Sequence, residues 1–309
     1  MNNQEIEAAL RKAYLQHRDC QQGENASYIP ALAQVDSRLF GLAAVTVQGE
    51  IICVGDFMAP FAIESISKAF NLSLAMDTHG AAALRQKVGA EATGQGFNSV
   101  LALELHSGKP LSPLVNAGAI ATVSLVNGQG APEVWENMSQ RFNQLCGNEL
   151  SVMEEVYESE SQNNDHNRAI TYLLRSSGYL YNEPELSLDL YTRMCSIGVT
   201  VRDLAVMGAC YANGGINPLS GMQVVKRENV PDILADMCME GLYTGSGSWL
   251  YENGLPAKSG VGGGIVCVVP SKMALAAFSP PLNADGNSVR AIAALTDIIR
   301  ELDLNPLRS

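Results

Sequence analysis

The sequence predicts an α+β fold, in which one antiparallel sheet is built from both chain ends and a mostly helical lobe lies between them. Two β-hairpin patterns support this prediction. The first pairs Leu39–Val47 with Ile51–Val54 around Gln48-Gly49-Glu50. The second pairs Gly264–Pro270 with Lys272–Ser279 across a short polar turn. Because helical spacing fills the chain between the hairpins, the strands of the two ends are expected to meet in one sheet, flanked by the terminal helices.

The helices are expected in a clear order along the chain. Residues 2–20 have apolar side chains at helical spacing, and Gly23 follows as a stop signal. Nine segments between Ser65 and Glu240 have the same spacing: Ser65–Asp77, Ala81–Lys87, Asn116–Val126, Pro132–Cys146, Ser151–Ser159, Asn167–Ser176, Glu185–Met194, Val201–Ala212 and Val230–Glu240. Gly286-Asn287-Ser288 caps a final helix. The apolar face of that helix is Val289, Ile292, Leu295, Ile299 and Leu302.

This order predicts two lobes. Residues 1–64 with 241–309 would form the lobe that contains the sheet, and residues 65–240 would form the helical lobe. A groove between two lobes is a common place for a ligand, so the active site is expected there, within one catalytic unit.

Composition excludes several classes of function. The chain has 309 residues, 47% of them hydrophobic, with a formal net charge of −12. Nucleic acids and anionic membranes attract basic surfaces, so neither is an expected partner. The chain has no transmembrane run, and residues 1–20 lack the apolar core of a signal peptide. The expected location is the cytoplasm.

The cysteines and histidines do not form a metal pattern. Seven cysteines are scattered without a C-x-x-C pair, which is typical of reduced, buried thiols. The four histidines lie far apart and match no metal spacing. A Ser-His-Asp triad stays possible, because such residues assemble from distant positions, but no G-x-S-x-G elbow supports it.

The first chemical motif is Ser65-x-x-Lys68 at the expected start of a helix. Residues three apart share a helix face, so the hydroxyl and the ammonium can touch. A serine at a helix start also lies among unpaired backbone N–H groups. The motif therefore combines a nucleophile, a base and an oxyanion donor. A chance S-x-x-K, with a capped helix and a solvated lysine, is the alternative.

The second motif, Lys258-Ser259-Gly260-Val261-Gly262-Gly263-Gly264, opens the third predicted strand. It is no phosphate loop, because Ala257 stands before Lys258 and Ile265 stands where the dinucleotide fingerprint needs glycine. Lys-Ser-Gly on a strand, far downstream of S-x-x-K on a helix, is the layout of β-lactamases and penicillin-binding enzymes. The pair of motifs therefore indicates acyl transfer, although no S-D-N motif lies between them.

Further motifs, in order, resemble the serine-dependent glutaminase family of bacterial type. They are Tyr28-Ile29-Pro30, Glu64-Ser65-Ile66-Ser67-Lys68, Asn116-Ala117-Gly118-Ala119, Glu160 with Asn167, Lys258 to Gly264, and Phe278-Ser279-Pro280-Pro281-Leu282. The resemblance covers essentially the whole chain and implies the β-lactamase/transpeptidase-like fold. Many family members have glutamine before the nucleophilic serine, and Glu64 departs from that pattern.

The resemblance implies hydrolysis of L-glutamine to L-glutamate and ammonia through an acyl-enzyme. It assigns Ser65 as nucleophile and Lys68 as its proton acceptor. Lys258 is expected to be a supporting cation that lowers the pKa of Lys68. The backbone N–H groups of Ser65 and Val261 are implied as the oxyanion hole.

The resemblance also implies a substrate-binding set. Glu160 would bind the α-ammonium, with Glu158 as a nearby but less suitable carboxylate. The α-carboxylate and the amide would contact Asn116, Asn167, Tyr191 and Tyr243, and Tyr28 would lie at the mouth. One tyrosine would relay a proton to ammonia, and the sequence does not say which. No metal or organic cofactor is expected, and the family implies a homo-oligomer, often a tetramer.

Two alternatives stay open from the sequence. One is a penicillin-interacting hydrolase of the same fold, against which the missing S-D-N motif counts. The other is an amino-acid-binding domain without activity, which would have no need of a nucleophile beside a base.

Overall fold

The computed structural model of the chain describes residues 2–308 and has the predicted α+β architecture. Its strands are β1 (Gly41–Thr46), β2 (Ile51–Gly55), β3 (Phe61–Ala62), β4 (Gly198–Val199), β5 (Ala257–Ser259), β6 (Gly264–Val269) and β7 (Met273–Phe278). Five of them form one antiparallel sheet in the order β2-β1-β7-β6-β5, and β3 pairs with β4 in a small second sheet.

The described residues contain fourteen α-helices. They are α1 (Asn3–His17), α2 (Pro30–Ala33), α3 (Ser67–His79), α4 (Ala81–Lys87), α5 (Val100–Leu105), α6 (Asn116–Val123), α7 (Ala131–Cys146), α8 (Glu154–Gln162), α9 (Asp165–Ser176), α10 (Pro184–Cys195), α11 (Val201–Ala212), α12 (Val230–Glu240), α13 (Ser246–Asn253) and α14 (Val289–Glu301). Short 3-10 helices cover Glu64–Ile66, Arg227–Asn229 and Tyr243–Gly245.

The two chain ends meet where β1 pairs with β7. Their register runs from Gly41 opposite Phe278 to Thr46 opposite Met273. Strands β1, β6 and β7 are buried along their whole length. A strand that is covered on both faces reads as a continuous apolar run rather than an alternating one, which is the pattern that predicted these hairpins.

Helices cover both faces of the five-stranded sheet. On one face, α1 and α14 pack in a cluster that includes Leu10, Leu275 and Leu295. On the other face lies α11, which approaches so closely that a Cβ on Gly208 would lie 2.6 Å from Val266 Cγ2. Helix α11 comes from the segment assigned to the helical lobe, and the division into lobes stays a prediction.

Several boundaries differ from the predicted ones. Helix α8 begins at Glu154 rather than Ser151, because Val152 forms a β-bridge with Ile197. Lys258 lies on its own strand, β5, which the turn of residues 260–263 separates from β6. Helix α6 ends at Val123 rather than Val126, and helices α2, α5 and α13 are additional to the predicted ones. Short helices have weak periodicity, which explains why the sequence pattern did not indicate them.

Two kinds of feature are absent from residues 2–308. None of the helices there is both long enough and apolar enough to cross a membrane. Among the same residues, no group of three or more His, Cys, Asp and Glu side chains is arranged to hold a metal ion.

Candidate active site

Ser65 lies in the 3-10 helix Glu64–Ile66, between β3 and α3. The turn is tight, because the backbone of Glu64 has φ +52° and the Ser67 hydroxyl donates to the Glu64 carbonyl at 2.6 Å. A left-handed residue other than glycine costs on the order of 1–2 kcal/mol, and such strain is concentrated at functional sites. Ser65 and Lys68 are both buried and separated by one helical turn, as predicted.

Lys68 is enclosed because α3 is buried on nearly all sides by neighbouring helices. Its Nζ donates to Asn116 Oδ1 at 2.6 Å and lies 5.8 Å from the ring centres of Tyr191 and Tyr243. Burial lowers the pKa of Lys68 to about 8, although nearby negative charges act in the opposite direction. Within residues 2–308, no hydrogen bond joins Lys68 to Ser65. Catalytic hydrogen bonds commonly tighten only when substrate binds.

Lys258, on β5, is the second buried lysine beside the Tyr243 ring. Its Nζ donates to the carbonyls of Gly241 at 2.9 Å and Ser259 at 2.7 Å, and it lies 4.1 Å from the Tyr243 ring centre. Burial, and then the charge of Lys68, lower the pKa of Lys258 well below its usual value. Burial accounts for the lowered pKa of Lys68 itself. The expected supporting role of Lys258 stays a prediction.

Tyr243 is the tyrosine beside Ser65. It is buried, has φ +54°, and packs against Phe97 at 4.7 Å between ring centres. In the described part of the chain, its phenol oxygen has no partner that meets hydrogen-bond geometry. Burial raises the pKa of the Tyr243 phenol, and the adjacent Ser65 side chain acts in the opposite direction. This position fits a proton relay at the nucleophile.

A chain of side-chain amides leads away from Lys68. Asn116 Oδ1 also accepts from the Tyr191 hydroxyl at 3.2 Å, and Asn116 Nδ2 donates to Asn167 Oδ1 at 2.9 Å. Asn167 Nδ2 donates in turn to Asn164 Oδ1 at 2.9 Å. The Asn116 oxygen therefore has both lone pairs occupied, and each of Asn116 and Asn167 retains one N–H for a ligand.

Glu160 lies near the end of α8, with its Oε1 enclosed. Burial raises the pKa of Glu160 to about 7, against the opposing effects of Glu64 and Lys68. It is therefore mostly an anion above pH 7, as binding an ammonium group requires. Glu158, two residues earlier, is exposed and does not share this environment.

The glycines on either side of Val261 allow the loop to approach the nucleophile turn. A Cβ on Gly262 would lie 2.4 Å from the Ala62 carbonyl oxygen, and one on Gly260 would lie 2.8 Å from the Ile63 oxygen. Among residues 2–308, the amide N–H groups of Ser65 and Val261 donate to no protein acceptor. Two unpaired donors on facing segments are what an oxyanion hole needs.

Tyr28 lies at the rim of the site, in a segment that packs on Val156, Val261 and Leu282. The residue is 57% exposed as a whole. Burial, followed by the charges of Glu64 and other site groups, raises the pKa of its phenol, so the hydroxyl end faces the site. A cavity of about 420 Å³ beside it is lined by Tyr28 and Val261, among others. A larger cavity of about 890 Å³ near Arg290 contains none of the predicted site residues.

The structure also reveals site residues that the sequence pattern missed. Asn164 extends the amide chain to Thr192 at 2.6 Å, and its position three before Asn167 on adjoining helical turns could have indicated it. Glu240 accepts from the Thr93 N–H at 2.6 Å, and its charge acts on Lys258. Cys195, buried beneath the nucleophile turn, lies 3.9 Å from the Ser67 hydroxyl. No sequence signal distinguished Glu240 or Cys195.

Comparisons with known proteins find similar chains of one family. The family model described as Glutaminase matches residues 23–306. A glutaminase of Mycobacterium ulcerans (strain Agy99) is 53% identical over 304 residues, covering 98% of this chain and 95% of that protein. A glutaminase of Brucella canis (strain ATCC 23365 / NCTC 10854 / RM-666) is 54% identical over 300 residues, covering 97% of this chain and 95% of that protein.

Solved structures are similar over the same length. One described as a probable glutaminase, ybaS, has a TM-score of 0.99 and 48% identity, and the match covers all of both chains. Another, of Mglu in its glutamate form, has a TM-score of 0.93 and 35% identity, covering 99% of this chain and 70% of that one.

Proposed function

The chain belongs to the glutaminase family, and from that premise we propose that it hydrolyses L-glutamine through a Ser-Lys acyl-enzyme. The family match, the identities above 50% and the β-lactamase/transpeptidase-like fold of its structural neighbours establish the class, an amidohydrolase. The single observation that best supports the mechanism is a buried Lys68, with a pKa of about 8, one turn from Ser65.

In the acylation step, the Ser65 hydroxyl attacks the side-chain carbonyl carbon of glutamine. Neutral Lys68 accepts the hydroxyl proton as the C–O bond forms. The resulting oxyanion is stabilised by the N–H groups of Ser65 and Val261. A positioned donor of this kind contributes roughly 3 kcal/mol of transition-state stabilisation.

The amide nitrogen then takes up the proton that Lys68 gives back through Tyr243, and it leaves as ammonia when the C–N bond breaks. The position of the Tyr243 phenol beside Ser65 favours it over Tyr191, whose hydroxyl is engaged with Asn116. Water next attacks the acyl-enzyme, and Lys68 takes its proton before returning one to Ser65. The products are L-glutamate and a regenerated enzyme.

The substrate-binding residues complete the proposal. Glu160 supplies the anion for the α-ammonium, and the remaining N–H groups of Asn116 and Asn167 face the α-carboxylate. Tyr28 closes the rim of the site. A relative with 35% identity was solved in its glutamate form, which supports the choice of substrate. None of these steps requires a metal or an organic cofactor.

The test is ammonia release from purified protein with L-glutamine. Ser65→Ala should reduce kcat by about 10⁴-fold or more while the protein stays folded, because the nucleophile is lost. Ser187→Ala is the matched control, since Ser187 is a buried serine on α10 whose hydroxyl donates to the Glu183 carbonyl, away from the nucleophile turn. Full activity in Ser65→Ala would refute the mechanism. L-asparagine, assayed in parallel, tests the position of the amide relative to Ser65. Labelling by a fluorescent penicillin tests the alternative of a penicillin-interacting hydrolase.

The cellular setting is proposed on less direct support. Seven unpaired cysteines favour a reducing compartment, consistent with the expected cytoplasm. A homo-oligomer, expected to be a tetramer, follows from family membership alone. Its mass by light scattering should be about four times the chain mass of 33.0 kDa.

A further inference from the structure

Glu64, the residue before the proposed nucleophile, has little room to move. It is 3% exposed, and its backbone lies in the left-handed region at φ +52°. The glycine loop packs directly on its side chain. A Cβ on Gly260 would lie 3.2 Å from Glu64 Cβ, and one on Gly262 would lie 3.3 Å from Glu64 Cγ. The carboxyl group is therefore held inside the site and cannot turn toward solvent.

The partner of the Glu64 carboxyl group is a second carboxyl group. The carboxyl groups of Glu64 and Glu160 lie within hydrogen-bonding reach of each other. The Oε1 atoms of both residues are enclosed, and no N–H or O–H donor of another residue in the range 2–308 reaches either of them. Ionised carboxylates only accept hydrogen bonds. A hydrogen bond between these two residues therefore requires a proton on one of them.

The surroundings decide which residue holds the proton. Burial, the charge of Glu160 and the hydrogen bond to Glu160 raise the pKa of Glu64 well above its usual value. The same hydrogen bond lowers the pKa of Glu160, against the effect of burial. Lys68 lowers the pKa of both carboxyl groups. Glu64 is thus the donor and Glu160 the charged acceptor.

We propose that Glu64 works as a neutral acid, a positioning residue that donates its proton to Glu160 and holds that carboxylate toward the α-ammonium of the substrate. This inference rests on the proposed function for the identity of the substrate. A protonated glutamate has nearly the shape of glutamine and one donor in the same place. The departure from glutamine at this position is therefore chemically small as long as the proton is present.

The proton on Glu64 also affects the base. The charges of Glu64 and Glu160 both raise the pKa of Lys68, and a neutral Glu64 removes one of these two effects. Loss of the proton would place two anions side by side and favour the protonated form of Lys68, which cannot accept a proton from Ser65. Glu64 would then hinder both substrate binding and the base.

Other titratable groups face Glu64 from each element around it, and they enter any titration of the pair. They are Lys68 on α3, Glu160 on α8, Tyr191 and Cys195 on α10, Tyr243 before α13, and Tyr28 at the rim. Burial raises the pKa of the Tyr191 phenol and the Cys195 thiol well above their usual values. Both groups are therefore neutral across the working pH range.

The decisive comparison is between Glu64→Gln and Glu64→Ala. Glutamine keeps the donor but cannot ionise, whereas alanine removes it. At pH 7.5 we expect Glu64→Ala to raise KM for L-glutamine at least tenfold, and Glu64→Gln to restore most of that loss. With rising pH, the ratio of kcat/KM in Glu64→Gln to that in wild type should increase as the wild type loses the proton, because glutamine cannot ionise. Titration of the substrate cancels in this ratio.

A second readout does not depend on catalysis. Infrared difference spectra of the resting protein near pH 8 should contain the C=O stretching band of a protonated carboxyl group that Glu64→Gln removes. Glu158→Gln is the matched control, since it removes one exposed carboxylate from α8 and should leave the band in place. If Glu64→Ala does not fold, the comparison of Glu64→Gln with wild type and the infrared band still decide the proposal.

The outcomes separate the two proposals. A band that persists in Glu64→Gln would overturn the proposal that Glu64 donates a proton to Glu160. A Glu64→Gln variant as impaired as Glu64→Ala would overturn it too. A kcat/KM ratio that stays flat while the infrared band of the wild type disappears with rising pH would overturn the effect of Glu64 on the base. A wild-type protein that shows the band but does not hydrolyse glutamine would overturn the proposed function. The proposal that Glu64 donates a proton to Glu160 would then still stand.

Discussion

Lys68 is 1% exposed, and its only side-chain hydrogen bond in the described structure goes to Asn116. A buried ammonium is poorly solvated, so the charged form opposes folding. This is the physical reason for both its lowered pKa and its use as a base. The same desolvation affects both the free energy of unfolding and kcat/KM.

The stability consequence can be measured in Lys68→Met. The folded pKa of about 8 lies below the ordinary 10.5, so the unfolded chain binds more protons between these values and stability rises with pH there. Lys68→Met lacks this slope and removes the buried charge. We expect the variant to be more stable than wild type at pH 7, by urea denaturation, with the difference shrinking from pH 8 to pH 10. A constant difference would contradict the lowered pKa.

The catalytic consequence is an acid limb in kcat/KM with two steps. Lys68 must be neutral to accept a proton, so kcat/KM should fall about tenfold per pH unit below about 8. Below about pH 7, Glu160 gains a proton and no longer attracts the ammonium, so the fall should steepen toward a hundredfold per unit. Initial rates at low glutamine from pH 5.5 to 9 test this. A level profile across pH 6–8 would exclude Lys68 as the base.

At the residue scale, the sequence supplied the candidate site residues but not their partners. Ser65-x-x-Lys68 lies on one turn as expected, because short spacing on a helix determines which side chains share a face. The partners of Lys68 and Glu160 come from residues distant in sequence. Asn116 and Glu64 could be assigned to them only from tertiary packing.

At the scale of elements, the turn of residues 260–263 is the part whose backbone geometry matters most. It approaches β3 and the nucleophile turn so closely that a side chain does not fit at Gly262. The Val261 N–H, a proposed oxyanion donor, belongs to this turn. A shift of about 1 Å in such a group can reduce a rate by about 10².

Gly262→Ala tests that geometry. The added Cβ would lie 2.4 Å from the Ala62 oxygen, so the loop must move away from the nucleophile turn. We expect kcat/KM to fall by about 10²-fold, with a smaller change in the urea midpoint. Gly247→Ala, on α13, is the control, because its Cβ would meet nothing within 4 Å. Equal activity of the two variants would show that the loop position is not critical.

The elements themselves were predictable to different degrees. The two hairpins and the long helices followed from apolar runs and helical spacing. The start of α8 was not predictable, because Val152 pairs with the distant Ile197 and therefore lies outside the helix. The short strand β5 became separate from β6 because the glycine turn folds back between them, which composition alone does not indicate.

At the scale of the whole molecule, the two chain ends stabilise one another. Helices α1 and α14 pack together on the sheet, and Lys12 pairs with Glu301 at 2.6 Å across their exposed edge. An exposed ion pair contributes little, typically below about 1 kcal/mol. The buried apolar contacts of α1 therefore account for most of the attachment.

Leu10→Ala measures that attachment. Leu10 is 0% exposed in the cluster of α1, α14 and the sheet, so its truncation should lower the free energy of unfolding by about 3 kcal/mol. Leu15→Ala, on the same helix at 59% exposure, should change it by less than about 0.5 kcal/mol. Urea denaturation gives both values. A similar effect of the two substitutions would mean that α1 is not docked as described.

The sequence by itself determined the α+β class, the hairpins from both chain ends, the family, and the candidate residues from Ser65 to Val261. These follow from local spacing and from motifs, which are properties of short stretches of chain. Only the tertiary structure decided that α11 covers the sheet, that Asn116 binds Lys68, and that Glu64 meets Glu160. Burial and hydrogen bonding between distant residues depend on which surfaces pack together, and it is burial that shifts the pKa values on which the proposed chemistry rests.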